Sequence, residues 1–290
     1  LKRSKRIQKA LFLFLRNNII IIFKLKDNIH FFLSDSEMLL SVALLNLTTI
    51  SSVWNIKKTI FGETNYNIDN TTSTPILQVY YPRGSSTPSK IPGGIGFYSR
   101  PNEINRAKDV VLSYSVRFDE TFDPVLGGKL PGLYISSGNN TSGGSGGKHT
   151  NNTSCRIAWR SNFMAEAYVY LPKNVNQSET YYNNSVQNRI YGDSLWRGQL
   201  NFKKDIWNDI SLRIRLNTFD TRDYPNMDGL LQLTINNVTR RLDDIILTVD
   251  TQSRIETVIF ETFFGGSSPL AVTPNDTWSY FKNVAVTKID

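Results

Sequence analysis

Three stretches of this 290-residue chain alternate apolar and polar side chains at every step. In 112–118 (LSYSVRF), Leu112, Tyr114, Val116 and Phe118 share one side, and Ser113, Ser115 and Arg117 the other. In 212–217 (LRIRLN), Leu212, Ile214 and Leu216 alternate with Arg213, Arg215 and Asn217. After the Asp228-Gly229 turn signal, Leu231, Leu233 and Ile235 alternate with Gln232, Thr234 and Asn236. A period of two puts successive side chains on opposite faces, so each stretch reads as a strand with one face in a core and one in water. No stretch of comparable length in 76–290 sustains a helical period. Antiparallel strands at this density predict an all-β sandwich or jelly roll. Its wet sheet face, if concave, is a groove for an extended polymer.

The formal charge of +8 is unevenly spread. Residues 1–37 hold eight Lys and Arg against three Asp and Glu, a net of +5, which leaves +3 for the rest. A nucleic-acid binder carries a basic stripe through its folded part, and none is seen, so nucleic acid is not expected as a partner. A mild positive excess suits a polyanionic substrate and suits plain surface solubility equally well. The single Cys155 excludes an intramolecular disulfide framework and by itself favours a reducing compartment. Against this stand Asn-x-Ser/Thr triplets at Asn46, Asn70, Asn139, Asn140, Asn151, Asn152, Asn176, Asn183, Asn237 and Asn275. They are glycan acceptors only on a chain that enters the secretory path.

The amino-terminal region adds to the secretory reading. Residues 11–23 (LFLFLRNNIIIIF) are interrupted by Arg16, Asn17 and Asn18, and are too few for a bilayer span of about 20 apolar residues. Met38 opens MLLSVALLNLTTISSVW, the apolar part of a signal peptide, without a basic leader after it. Residues 1–37 are therefore expected to be absent from the mature protein and 38–55 to be a signal peptide. Residues 56–75, ending in the polar, turn-rich GETNYNIDNTTSTP (62–75), are expected to be a linker to a catalytic domain at 76–290. A basic tail before a buried hydrophobic helix is the competing reading. The expected product is a secreted, extracellular monomer with no membrane partner.

Three segments carry candidate chemistry. Gly127-Gly128-Lys129-Leu130-Pro131-Gly132-Leu133 frames one cation with three glycines and a proline, and glycine permits unusual backbone angles and close approach of a ligand. In 154–160 (SCRIAWR), Cys155, Ile157 and Trp159 face a core, while Ser154, Arg156, Ala158 and Arg160 face outward. In 166–172 (EAYVYLP), Ala167, Val169 and Leu171 face inward, so Glu166, Tyr168 and Tyr170 face outward. The intervening SNFMA is of hairpin length, which would make these strands neighbours with Arg and Tyr on one wet face. A cross-strand aromatic–Arg stack that only stabilises the hairpin explains this pattern as well as a site does.

In their order, GGKLPGL, SxRxxWR (Ser154 to Arg160) and ExYxYLP (Glu166 to Pro172) resemble polysaccharide lyase family 14, which contains alginate lyases and glucuronate-cleaving lyases with a β-jelly-roll fold. YPRGSSTP (81–88), GGIGFY (93–98), LSYSVRF, the Arg197-Gly198 pair, a strand at Trp207, LRIRLN and ETFFGG (261–266) continue the resemblance across roughly residues 78–287. It implies β-elimination on an acidic polysaccharide, a polyuronate such as alginate or glucuronan. The implied site is Lys129, Ser154, Arg156, Tyr168 and Tyr170, with no cofactor and no metal. The chain departs from the family pattern in SSGNNTSGGSGGKHTNNT (136–153), where family members tend to carry cysteines.

Elimination removes the uronate C5 proton, α to a carboxylate, and expels the C4 glycosidic oxygen. The carboxylate must be neutralised first, which Lys129 or Arg156 could do with Ser154 as a hydrogen-bond donor. A tyrosine of reference pKa about 10 is a poor base at neutral pH, and neighbouring cations are expected to lower it. Tyr168 and Tyr170 remain interchangeable as base and acid, and His149 is a rival base. A glycoside hydrolase needs two carboxyls across the scissile bond, for which Glu166 and Glu261 are the candidates. Two histidines and one cysteine do not supply a metal cluster, and Asp220, Asp223 and Asp228 read as a solvated turn. A non-catalytic jelly-roll lectin is the alternative from another class.

Overall fold

The computed structural model describes residues 11–15, 18–25, 28–30, 54–87, 91–137, 152–173, 175–266 and 268–290, the first three stretches as backbone alone. The chain divides into two units, Leu1–Met38 and Leu39–Asp290. In the first, β1 (Leu11–Leu15), β2 (Asn18–Leu25) and β3 (Asn28–His30) form a three-stranded antiparallel sheet. Residues 11–23 are thus largely strand. The stretch from Met38, on which both the proposed signal peptide and the helix of the competing reading fall, lies up to residue 53 outside the described residues.

The second unit is built from β4 (Ile56–Phe61), β5 (Tyr66–Asp69), β6 (Ile76–Tyr81), β7 (Ile95–Ser99), β8 (Asp109–Phe118), β9 (Gly128–Ser136), β10 (Asn152–Trp159), β11 (Met164–Tyr170), β12 (Ser185–Val186), β13 (Asp193–Asn201), β14 (Asn208–Arg215), β15 (Gly229–Ile235), β16 (Val238–Ile245), β17 (Arg254–Phe264) and β18 (Thr277–Lys288). Among the described residues one short α-helix, α1 (Glu179–Asn183), precedes β12. Eight strands form one sheet in the order β12-β13-β11-β10-β9-β17-β7-β4, and seven form the other in the order β16-β15-β14-β8-β18-β6-β5. Every neighbouring pair is antiparallel. This is the two-sheet jelly roll the alternation predicts.

The alternation fills the space between the sheets as a period of two requires. Leu112, Tyr114, Val116 and Phe118 of β8, with Leu212, Ile214, Leu231, Leu233 and Ile235, meet Cys155, Ile157 and Trp159 of β10 and Ala165, Ala167 and Val169 of β11. Beneath the end of β10 the rings of Phe118, Phe122, Trp159 and Phe264 pack at centroid distances of 4.8 to 5.9 Å. Large ring areas leaving water here anchor β10 from its core side.

Residues 56–75, expected as a linker, instead supply the outermost strand of each sheet, β4 and β5. An edge strand pairs on one side only and keeps exposed charges, here Lys57 and Lys58, that discourage pairing with other chains. That polar composition reads as a linker when the partner strand is out of view. The turn between β4 and β5 is fixed from outside, with Asn65 Nδ2 donating to the carbonyls of Pro92 and Gly94.

Candidate active site

β10 and β11 pair in the register Ser154↔Tyr170, Arg156↔Tyr168 and Ala158↔Glu166, so these six residues share the sheet face that points away from the core. The hairpin turn is a single 3-10 turn, Ser161–Phe163, with Asn162 and Phe163 both in the left-handed region. On the other side of β10 runs β9, with Ser154↔Tyr134, Arg156↔Gly132 and Ala158↔Lys129. The register shifts between Arg156 and Ile157, leaving Pro131 as the surplus residue on β9. A proline suits that bulge because it has no N–H to offer the ladder. Its carbonyl accepts instead from the Tyr114 hydroxyl, 3.1 Å away in the core. The bulge brings Lys129 onto the same face as Arg156.

The glycines around Lys129 serve strand packing and, at Gly127, the unusual backbone angle expected of them. Gly127 holds φ 134°, outside the range of other residues. A Cβ on Gly132 would run into the Cys155 carbonyl and the Arg156 backbone, so its absence lets β9 press against β10.

All five expected site residues, Lys129, Ser154, Arg156, Tyr168 and Tyr170, are brought together here. The Lys129 ammonium lies 4.0 Å from the centre of the Tyr168 ring, within cation–π range. The Tyr168 and Tyr170 rings meet edge to face, with centroids 5.5 Å apart. The Arg156 guanidinium is 5.8 Å from the Tyr170 ring. Arg156 Nη1 and Glu261 Oε2, from β17, form an ion pair of 2.5 Å, with both side chains at most 4% exposed. Arg156 Nε is buried and has no hydrogen-bond partner. The backbone N–H of Gly192 donates to the Tyr168 hydroxyl at 3.1 Å.

The face is not wet in the sense expected. Ser154, Arg156, Glu166, Tyr168 and Tyr170 are all buried, because Lys129 lies on Tyr168, Tyr168 packs against Tyr170, and Arg156 reaches to Glu261. Burial also reverses the expected electrostatics of Tyr168. Desolvation, and next the neighbouring Tyr170, push its phenol well above the ordinary value, with the Gly192 N–H and Arg160 opposing only in part. Desolvation, then Arg160 and Arg156, push the Lys129 ammonium well below the ordinary lysine range, against the smaller pull of Glu166 and Glu261.

A second group of charges adjoins the first. Arg160 donates to Glu166 Oε1 through Nε at 2.9 Å and Nη2 at 2.5 Å, and Arg197 Nε donates to Glu166 Oε2 at 2.7 Å. Ser194 Oγ donates to Glu166 Oε1 at 2.9 Å and accepts from Arg197 Nη2 at 2.6 Å. Burial pushes the Glu166 carboxyl up, but the hydrogen bonds and charges of Arg160 and Arg197 hold it below its ordinary value. This overturns Glu166 as a proton donor of hydrolase type, and Glu261 is tied to Arg156. Glu261 as the partner of Arg156, Gly192 as a donor to Tyr168, and the joint hold of Arg160 and Arg197 on Glu166 were missed from sequence. The parity of Glu261 with Ile259 on one strand was the available signal. His149 lies outside the described residues.

The class is defined by fold as a two-sheet antiparallel jelly roll, with lysine, arginine, serine and paired tyrosines gathered on one sheet face. The chain belongs to the Polysaccharide lyase 14 family, whose sequence profile matches residues 69–284. Its structure is similar to the marine alginate lyase of Aplysia kurodai, at 27% identity and a TM-score of 0.72, covering 87% of this chain and 97% of that one. It is similar in fold to an alginate lyase from Chlorella virus, at 24% identity and a TM-score of 0.71, covering 84% and 96%. A curated relative, the exolysin of Paramecium bursaria Chlorella virus 1, is 24% identical over an alignment of 202 residues, with coverage of 63% of this chain and 30% of that protein. The chain thus spans less than a third of that relative's length.

Proposed function

We propose that the protein cleaves a polyuronate, alginate before glucuronan, by β-elimination, with Lys129 as the base and Tyr168 as the acid. The observation that carries this reading is the Lys129 ammonium set 4.0 Å from the Tyr168 ring, in surroundings that favour the neutral amine and the neutral phenol. Elimination needs that pair: one group without its proton and one that still has it. Lys129 is thereby reassigned from neutralising the substrate carboxylate, and Tyr168 from the undecided base. Alginate comes first because the Aplysia kurodai enzyme is an alginate lyase.

Arg156 and Ser154 remain to meet the uronate carboxylate, and the unpartnered Nε of Arg156 is a buried donor in want of an acceptor. With that charge neutralised, the C5 proton passes to the Lys129 amine and the C5–H electron pair becomes the C4–C5 double bond. The C4–O bond breaks, and the leaving oxygen takes the Tyr168 proton. The Gly192 N–H, 3.1 Å away, stabilises the phenolate left behind. The adjacent Lys129 ammonium returns a proton to that phenolate, so a turnover consumes neither water nor a net proton. Tyr170, edge-on to Tyr168, holds the acid in place.

The same reading makes the protein secreted and glycosylated. Its support is that five of the six described triplet asparagines, Asn70, Asn176, Asn183, Asn237 and Asn275, are exposed, while Asn152 is half-buried at the start of β10.

The test is the ultraviolet absorbance of the unsaturated uronate end during incubation with alginate and with glucuronan. The wild type is expected to raise it on alginate, and Tyr168→Phe and Lys129→Met to be at least about 100-fold slower, the scale of a lost acid or base. A flat trace with retained polymer binding would make the protein a lectin and defeat the proposal.

A further inference from the structure

Glu166 holds more positive charge than its own neutralisation requires. Its carboxylate is fully buried, and Arg160 alone already gives it a two-donor clasp. Arg197 adds a second guanidinium, so the trio carries a net charge of +1. Both arginines keep contact with solvent, with side chains 22% and 36% exposed. In each the remaining nitrogen, Nη1, makes no hydrogen bond among the described residues.

The chain accepts backbone strain to bring Arg197 there. Pairing between β11 and β13 jumps from Ala167↔Leu195 to Ala165↔Leu200, so β13 carries a multi-residue bulge. Within it, Trp196 takes φ 62° and is buried, and Gly198 takes φ 77°. A bulky non-glycine residue in the left-handed region is strained, and such strain concentrates at sites of function. The bulge buries Trp196 and leaves Arg197 next to Glu166 and Ser194, which faces Tyr168 in the register.

Arg160 also touches the reacting group, its guanidinium 5.7 Å from the Tyr168 ring that Lys129 approaches to 4.0 Å. From this geometry we infer that Arg160 and Arg197, held by Glu166, form a second carboxylate subsite for the uronate beside the one being cut. Two guanidiniums braced on one buried carboxylate present preorganised donors to an anion. In a polyuronate each sugar brings one carboxylate, so the neighbouring residue meets this pair when its partner sits at Lys129 and Arg156. Glu166 is a positioning residue here. The inference rests on the polyuronate reading above.

The experiment compares wild type, Arg197→Gln and Arg197→Lys on alginate oligosaccharides of defined length, and on the same oligosaccharides with their carboxylates methyl-esterified except at the cleaved sugar. On the charged substrate, Arg197→Gln should raise KM about tenfold, the worth of one charge-assisted contact, with kcat within about twofold because the proton-transfer groups are untouched. Arg197→Lys should recover part of the loss. On the esterified substrate, wild type and Arg197→Gln should perform alike. An unchanged KM on the charged substrate overturns the subsite, and so does an equal loss on both substrates. Thermal melting of each variant accompanies the kinetics. If Arg197→Gln does not fold, a KM for Arg197→Lys equal to wild type on the charged substrate, beside an unchanged melting temperature, overturns the subsite. A wild type that neither cuts nor binds any polyuronate defeats the underlying reading as well, and is told apart by that result.

Discussion

Lys129 and Tyr168 are moved in opposite directions along the pH scale by the same surroundings. The amine's neutral fraction grows as pH rises through its lowered pKa, while the phenol keeps its proton beyond the ordinary tyrosine value. The log of kcat/KM should therefore rise with pH along a limb lying below the free-lysine value of about 10.4, and should not fall until above about 10. A pH–rate profile checks this, and a rising limb at the ordinary lysine value would contradict it. The Arg156–Glu261 pair gives a prediction of another kind. Glu261→Gln leaves a guanidinium buried without its counter-charge and should cost about 3–5 kcal/mol in denaturant unfolding. Pairing it with Arg156→Met should recover much of that stability and none of the activity. Gly192→Ala tests the placement of Tyr168, since a Cβ there would stand 2.8 Å from the ring. Because that Cβ would also stand 2.8 Å from the Val169 carbonyl oxygen, stability should fall by about 1–3 kcal/mol. Activity should drop by about 10- to 100-fold, the effect of moving a reacting group by a fraction of an ångström to an ångström.

At the scale of the strand, β10 is the element that joins core to chemistry. Cys155, Ile157 and Trp159 go down into the packed rings, and Ser154, Arg156 and Ala158 come up to the site. Loosening the rings should disturb both. Phe122→Ala should lose about 3–5 kcal/mol of stability, measured by chemical denaturation. Gly132→Ala forces β9 away from β10 and should cost about 1–3 kcal/mol as overpacking, moving Lys129 out of register with Arg156. β10 and β11 were legible in the sequence because alternation and a short hairpin are local signals, and they alone set Arg156 opposite Tyr168. The place of Lys129 was not legible from pattern, since it depends on a bulge at Pro131 and on which strand lies beyond β10. The bulge at Trp196 that delivers Arg197 has no local signal either, because a tryptophan with positive φ is decided by the packing around it.

Across the whole molecule, the sandwich was legible and its edges were not. Period-two runs mark central strands, whereas β4 and β5 are short, polar and paired on one side, so 56–75 resembled a linker. Glu261 and Arg156 are 105 residues apart in the chain, and only the strand order of the sheet makes them partners. The charge balance of the site also belongs to this scale. Arg156, Arg160 and Arg197 outnumber Glu166 and Glu261 on one sheet face, so KM for the polymer should rise with added salt while kcat holds. Steady-state kinetics over a salt series would show it. The central claim, that the bond is broken by elimination, is tested most directly with a polyuronate carrying deuterium at C5. Mass spectrometry of the fragments should show one deuterium missing from every newly formed unsaturated end. Fragments that keep the label at the cut sugar would mean that C5 is never deprotonated, and would contradict the account.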